Sequence, residues 1–192
     1  MAAALRAYLS PLGLELPEAI RTEADPLEIL RYAAGAGPLV AETVEVGLRG
    51  LELQAVLTAT PTPRTAETVR RLRGSGRRLA VVGNDSDDCI KVYADRHGLL
   101  DCFDFISARA LFQDPALLKP HPHLVTRAMA VLDADPERCV LVGDSVSDIE
   151  SARAAGIRGI GYADRPGKER SFRNAGADAV ITDMAQLVLG HV

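Results

Sequence analysis

The chain has 192 residues, a length that suits one compact domain or a core with a small accessory unit. Hydrophobic residues make up 47% of it, and the formal net charge of −4 arises from acids and bases that are mixed along the chain. This pattern argues against a nucleic-acid-binding or anionic-membrane-binding protein, which would show a basic face, and the apolar runs are too short to span a bilayer.

Helices are predicted for the first sixty residues. Apolar side chains recur at helical spacing near the start of the chain, at Leu5, Leu9 and Leu12. Asp25 and Pro26 have the residue types of an N-cap and a first helical position. A longer helix is predicted over 38–57, and the Thr-Pro-Thr-Pro stretch at 60–63 then breaks the pattern. We therefore expect a helical unit over 1–60 and a second unit over 61–192.

Strands and helices alternate in the second unit. Short apolar runs rich in valine and isoleucine predict strands, and the segments between them have helical patterns. The predicted strands cover 77–83, 103–107, 139–143, 157–163 and 177–182. Because short connections join alternating strands and helices, we predict an α/β fold with a mostly parallel sheet and helices on both of its faces.

Two aspartates follow the predicted strand 139–143. Asp144 comes directly after it, and Asp148 lies four residues further on, at the start of a helix. Ligands of open parallel sheets bind at the carboxyl ends of the strands, so both carboxylates could face one point. Two acids there suit a hard cation such as Mg²⁺, which takes oxygen ligands. The alternative is that Asp148 or Ser147 caps the helix.

A lysine in a stiff segment is the second candidate site residue. Lys119 lies between two leucines and a Pro-His-Pro stretch, which keeps the loop extended before the next helix. Such a lysine could present a fixed positive charge to a phosphate and a carboxylate. The alternative is a surface lysine in a turn. His121 and His123 could also be considered a zinc pair, but no third ligand is apparent in the sequence.

Taken together, the strand ending in Gly83-Asn84, the Lys-Pro-His-Pro segment and the Gly-Asp-x-x-x-Asp segment resemble the haloacid dehalogenase superfamily, and its phosphoglycolate-phosphatase-like and phosphomutase-like members in particular. The resemblance implies Mg²⁺-dependent hydrolysis of a small phosphate monoester. It assigns Lys119 to charge balance at the phosphate, Asp144 to the metal and Asp148 to support of the metal site. Gly83 and Asn84 stand in the phosphate-binding second motif, and residues 1–60 resemble the helical cap.

Gly83 is a departure from the family pattern, because a serine or threonine hydroxyl is expected there. Glycine can offer only its backbone N–H to a phosphate. Ser86 could substitute for the hydroxyl, but we expect it to cap the next helix together with Asp85. The run from Asp85 to Asp88 contains an Asp-x-Asp pair, but it follows the wrong strand to be the nucleophile motif.

A larger departure concerns the first motif. Family members begin with an apolar strand that ends in Asp-x-Asp, whose first aspartate attacks phosphorus and whose second protonates the leaving group. Here Asp25 is the sole aspartate of the first sixty residues, and it opens a helix. The family's first strand lies between the strands predicted at 79–83 and 139–143. These two strands should therefore either pair directly or leave an open edge and a cleft, which predicts a strained or self-associating core.

Two functions follow from these observations. The first is a phosphatase-type hydrolase that acts on a small phosphorylated metabolite and is inactive or impaired for lack of the nucleophile. The alternative is a non-catalytic protein of the same fold that binds a ligand or a partner. We expect no nucleic-acid or membrane partner, and a homodimer could form through the exposed strand edges. Cys89, Cys102 and Cys139 form no CxxC pair, and the N-terminus lacks the order of a signal peptide, so we expect reduced thiols and a cytoplasmic location.

Overall fold

The N-terminal region is helical. The computed structural model describes residues 1–13 and 15–188. The predicted capping of the third helix is confirmed, because the side chain of Asp25 accepts a hydrogen bond from the N–H of Leu27 at 2.8 Å and Pro26 occupies the first helical position. The helices of this region are α1 (Ala2–Leu9), α2 (Glu18–Thr22), α3 (Pro26–Gly35) and α4 (Pro38–Thr58).

Strands and helices alternate after α4, as predicted, and the fold class is α/β. The strands are β1 (Ala80–Ser86), β2 (Phe105–Arg109), β3 (Val140–Gly143), β4 (Arg158–Tyr162) and β5 (Ala179–Ile181). The helices are α5 (Thr65–Gly74), α6 (Asp87–Arg96), α7 (His123–Val131), α8 (Val146–Ala154) and α9 (Lys168–Ala175). No helix within the described residues is long and apolar enough to cross a bilayer.

The strands form two parallel sheets that are not hydrogen-bonded to each other within the described residues. One sheet contains β1 and β2, and the other has the order β3-β4-β5. Of the two arrangements expected for β1 and β3, this is the one in which they stay apart. Each of these two strands therefore has one edge without a strand partner in the described part of the chain.

Apolar packing joins the N-terminal helices to the rest of the molecule. The largest core cluster contains residues of α1, α3 and α4 together with Leu118 and Leu124, which lie far along the chain. Val82 of β1 packs against this cluster and also against a second one that includes Leu141 of β3. The apolar core thus continues across position 60, and the division into units 1–60 and 61–192 stays a prediction.

Two local predictions were wrong. The first strand begins at Ala80 rather than at residue 77, because the N–H of Leu79 bonds to the Asp104 carboxylate at 2.8 Å, and the strand continues through an irregular register to Ser86. The helix α9, which begins within the basic segment 165–170, was not among the predicted helices. This helix buries a single large apolar side chain, Phe172, so its sequence shows no apolar stripe.

Candidate functional site

Lys119 lies at the centre of the candidate site, at the carboxyl ends of β1 and β3. Its Nζ donates a hydrogen bond to the carbonyl of Val82 at 3.2 Å and forms an ion pair with Asp148. The Lys119 side chain is only 10% exposed, so it is not a solvated lysine on a surface turn. The ammonium group therefore connects β1 to the start of α8, across the gap between the two sheets.

Asn84 fixes the backbone of Lys119. Its side-chain Nδ2 donates to the carbonyl oxygen of Lys119 at 3.1 Å, and its Oδ1 accepts from the Lys119 N–H at 2.8 Å. A primary amide that satisfies both backbone groups of one residue restrains the position of that residue. The structure thus brings together two of the predicted phosphate-binding residues through two direct hydrogen bonds.

Asp148 combines a capping role with the ion pair. Ser145 is the N-cap of α8, and Asp148 completes a capping box by accepting hydrogen bonds from the Ser145 N–H at 3.0 Å and from the Ser145 hydroxyl at 2.7 Å. The other carboxylate oxygen faces Lys119. The predicted cap is therefore present, but Ser145 rather than Ser147 is the N-cap residue.

Asp144 presents its carboxylate to solvent. The side chain is 67% exposed, and its nearest cation is Lys168 at the start of α9. The Nζ of Lys168 donates to the Asp144 carbonyl at 2.7 Å and lies 3.5 Å from its carboxylate and 2.7 Å from that of Asp164. Lys168 therefore orients the loop that carries Asp144.

The donor set at this edge makes up only part of a magnesium site. A hard cation of this kind takes about six oxygen ligands in octahedral geometry. Asp144 offers a free carboxylate, but both oxygens of Asp148 are occupied by Lys119 and Ser145. In residues 1–13 and 15–188, no three His, Cys, Asp or Glu side chains are grouped so that they could hold a metal ion. The described residues therefore offer one free carboxylate, and a bound Mg²⁺ would complete its shell with waters or substrate oxygens.

Comparisons with known proteins identify the family and the fold of the chain. The sequence profile of the haloacid dehalogenase-like hydrolases matches residues 7–156, which is more than half of the chain. The chain belongs to this family. The crystal structure of CbbY from Rhodobacter sphaeroides in complex with phosphate has the same fold, with a TM-score of 0.71 at 23% identity over 97% of this chain and 88% of that one.

Two sequence relatives are named phosphoglycolate phosphatases. The protein from Aquifex aeolicus is 29% identical over 168 residues, which cover 82% of this chain and 74% of that protein. The protein from Mesorhizobium japonicum is 32% identical over 142 residues, covering 68% of this chain but only 60% of that protein. The match thus includes less than two thirds of the second relative's length.

Gly83, the smaller departure from the family pattern, is closely packed. A Cβ added to this residue would lie 2.9 Å from Cδ1 of Ile90, which is the flexible end of a side chain on α6. A small movement of Ile90 would therefore make room for a side chain at this position. Steric crowding is therefore a weak reason for a glycine at position 83, and the absence of a hydroxyl there has no structural explanation.

An ionic cluster next to the site was not predicted. Arg109, at the end of β2, is fully buried and forms ion pairs with Glu45 and Glu52 of α4; we call these three residues the Arg109 cluster. Glu52 and Glu45 lie 57 and 64 positions before Arg109 in the sequence, so no local motif connects them to it. Glu45 and Glu52 lie on the same face of α4 as the buried Leu48, from which they are three and four residues away. This helical spacing is the signal that could have revealed them.

The segment that follows Asn84 differs from its prediction. Ser86 occupies the N-cap position of α6 but makes no side-chain capping bond, and its buried hydroxyl has no partner in the described structure. The N–H of Ser86 instead donates a hydrogen bond to the carboxylate of Glu52 at 3.0 Å. Loss of hydration raises the pKa of Asp85, and the carboxylate of Glu52 raises it further. Burial raises the pKa of Cys89 to about 12, which makes it an unreactive thiol.

Proposed function

We propose that this chain binds the phosphate group of a small phosphorylated metabolite, with Lys119 as the phosphate-binding cation and Gly83 and Asn84 lining the same site. The observation that carries this proposal is a lysine with little exposure, held at the carboxyl ends of two parallel strands by both its backbone and its ammonium group. The names of the phosphoglycolate phosphatases from Aquifex aeolicus and Mesorhizobium japonicum support a phosphate monoester as the ligand class. Three free thiols support a cytoplasmic location for this function.

Asp144 is the ligand that the described chain offers to Mg²⁺, and Asp148 would stand behind it as a support. A bound ion would neutralise part of the charge of a phosphate group. Because Mg²⁺ would take one carboxylate from the described chain and complete its shell with waters or phosphate oxygens, we propose that magnesium alone binds weakly and that phosphate recognition rests chiefly on Lys119.

Replacement of Lys119 by methionine is expected to weaken phosphate binding strongly. Inorganic phosphate should bind the unmodified chain with a dissociation constant on the order of 1 mM, and the variant should bind at least about tenfold more weakly because the charge-assisted contact is lost. Isothermal titration calorimetry measures both values. Lys91→Met is the matched control, because Lys91 is a half-exposed lysine of α6 that pairs with Asp87 and lies outside the site. Equal loss in both variants, or unchanged binding in Lys119→Met, would contradict the proposal.

The 192-residue chain is proposed to bind phosphate esters without turning them over. No strand precedes Ala80 within the described residues, so no Asp-x-Asp pair stands at a strand end ahead of the site to supply a nucleophile. We expect an aryl phosphate with Mg²⁺ to be hydrolysed no faster than in buffer alone. Turnover that disappears in Asp144→Asn would show that another group provides the nucleophile.

A partner-binding function is the second candidate, favoured by the edges of β1 and β3 that have no strand partner among the described residues. Unpaired strand edges offer backbone donors and acceptors to another chain, and a second copy of this chain could dimerise through them. Analytical ultracentrifugation should then show a concentration-dependent dimer. Val140→Lys, at a 46% exposed position of β3, should weaken it, whereas Val131→Lys on α7 should not. A monomer at all concentrations would contradict dimerisation through these edges.

A further inference from the structure

The Arg109 cluster lies in the interior between α4 and the ends of β1 and β2. The Arg109 side chain is completely buried, and the Glu45 and Glu52 side chains are 4% and 2% exposed. The two terminal nitrogens of the guanidinium group are divided between the two carboxylates. Arg49 adds a second positive charge, with its Nε 3.7 Å from Glu45. Arg49 also pairs with Asp87 at 2.5 Å, so Arg109 is the main partner of the two buried carboxylates.

The third nitrogen of the Arg109 guanidinium group, Nε, points toward the phosphate-binding residues. It donates to the carbonyl oxygen of Asn84 at 3.0 Å. The side chain of the same asparagine makes the two hydrogen bonds that hold the backbone of Lys119. One residue, Asn84, therefore stands between the buried guanidinium group and the lysine of the site.

The cluster also holds the far end of this segment. The second carboxylate oxygen of Glu52 accepts the N–H of Ser86 at 3.0 Å. Between Gly83 and Ser86 the register of β1 against β2 is irregular, so the parallel ladder does not fix these residues as it fixes the earlier part of the strand. The hydrogen bond that Arg109 donates to Asn84 and the one that Glu52 accepts from Ser86 restrain this segment instead.

We propose that Arg109 is a positioning residue for Lys119. It acts through Asn84: the buried guanidinium group, oriented by the two glutamates of α4, sets the carbonyl of Asn84 and with it the amide side chain that holds the Lys119 backbone. The role in ligand binding rests on the proposed phosphate-binding function, whereas the effect on the Lys119 backbone does not.

Four proteins separate positioning from structural support. Arg109→Met removes the guanidinium group, and the triple variant Arg109→Met/Glu45→Gln/Glu52→Gln also removes the two buried charges that it would leave behind. Neutralising the whole cluster should restore much of the lost stability. Arg127→Met is the control, because Arg127 is a part-buried arginine that bonds to Ser107 and Ala108 of β2. The unmodified chain is the reference.

Two measurements are made on each protein. Hydrogen exchange of the Lys119 N–H reports the bond to Asn84, and calorimetry with inorganic phosphate reports the site. We expect exchange to become at least about tenfold faster, and phosphate affinity to fall at least about tenfold, in both the single and the triple variant, since the supporting shell is lost in each. Arg127→Met should change neither value by a comparable factor.

The triple variant gives the decisive outcome. If its stability returns and both the Lys119 exchange rate and the phosphate affinity return with it, Arg109 has a structural role only and the proposal is overturned. If the unmodified chain binds no phosphate, the proposed function fails, but the exchange rate of the Lys119 N–H still decides whether Arg109 positions this residue. Unchanged exchange in the triple variant would overturn the positioning role in that case as well.

Discussion

Replacement of Arg109 by methionine is expected to lower the free energy of unfolding by about 3–5 kcal/mol at neutral pH, because it leaves two carboxylates buried without their common partner. Glu45 and Glu52 are both less than 5% exposed, so neither can recover hydration without a movement of α4. Urea unfolding followed by circular dichroism measures the change. The loss should exceed that of a typical core substitution.

The loss in free energy of unfolding caused by Arg109→Met should depend on pH. Burial raises the pKa of Glu45 above its ordinary value, and the charge of Arg109 opposes that rise. A carboxyl whose folded pKa exceeds its unfolded pKa binds protons more tightly in the folded state, so stability falls as pH rises from the unfolded to the folded value. Without Arg109 this interval extends to higher pH. The deficit should therefore be larger at about pH 8 than at about pH 5.

Arg127→Met is the control for the stability measurement too, since it removes a guanidinium group that bonds to a hydroxyl and a carbonyl of β2 and lies over the ring of Phe105, with no carboxylate among these partners. Its loss should be about 1 kcal/mol and should not vary with pH in the same interval, because no buried carboxylate is left unpaired. Similar losses for the two arginine variants, or a deficit for Arg109→Met that is the same at both pH values, would contradict the interpretation of the cluster as paired charges.

The α/β core was predictable because its signals are local. Most strands contain a short apolar run, most helices have an apolar period, and the spacing of Asp144 and Asp148 places both residues within one strand-to-helix turn. Lys119 was recognisable from the stiff segment around it. The residues that hold Lys119 in place were less accessible, because Asn84 and Asp148 reach it from 35 and 29 positions away.

The Arg109 cluster and Lys168 show why the rest could not be predicted. Glutamates in a long helix are most often solvated, and only tertiary packing decides that Glu45 and Glu52 are buried. The helix that carries Lys168 was not predicted, because α9 contributes one large apolar side chain to the core. The irregular end of β1 was missed for a related reason: its residues are polar, and their positions depend on partners from α4 and β2 rather than on their own pattern.

Gly143→Ala is expected to destabilise the protein by about 1–3 kcal/mol through overpacking, and to disturb the site at the same time. A Cβ on Gly143 would overlap the Cβ, Cγ and Oδ2 atoms of Asp148, so the carboxylate would have to leave its place. That place is fixed by Ser145 on one side and Lys119 on the other. Displacement breaks the capping box of α8, which adds about 1 kcal/mol to the loss, and separates the ion pair.

Gly159→Ala on the neighbouring strand β4 is the matched control. A Cβ there would lie 3.3 Å from Cδ1 of Ile149 and 3.4 Å from Cβ of Ala152, contacts that a small adjustment relieves. Urea unfolding should show a much smaller loss for Gly159→Ala. Hydrogen exchange of the Ser145 N–H, which Asp148 accepts at 3.0 Å, should accelerate in Gly143→Ala alone. If Ser145 stays protected while stability falls, the added methyl group is accommodated by the strand, and Asp148 is not what requires glycine at this position.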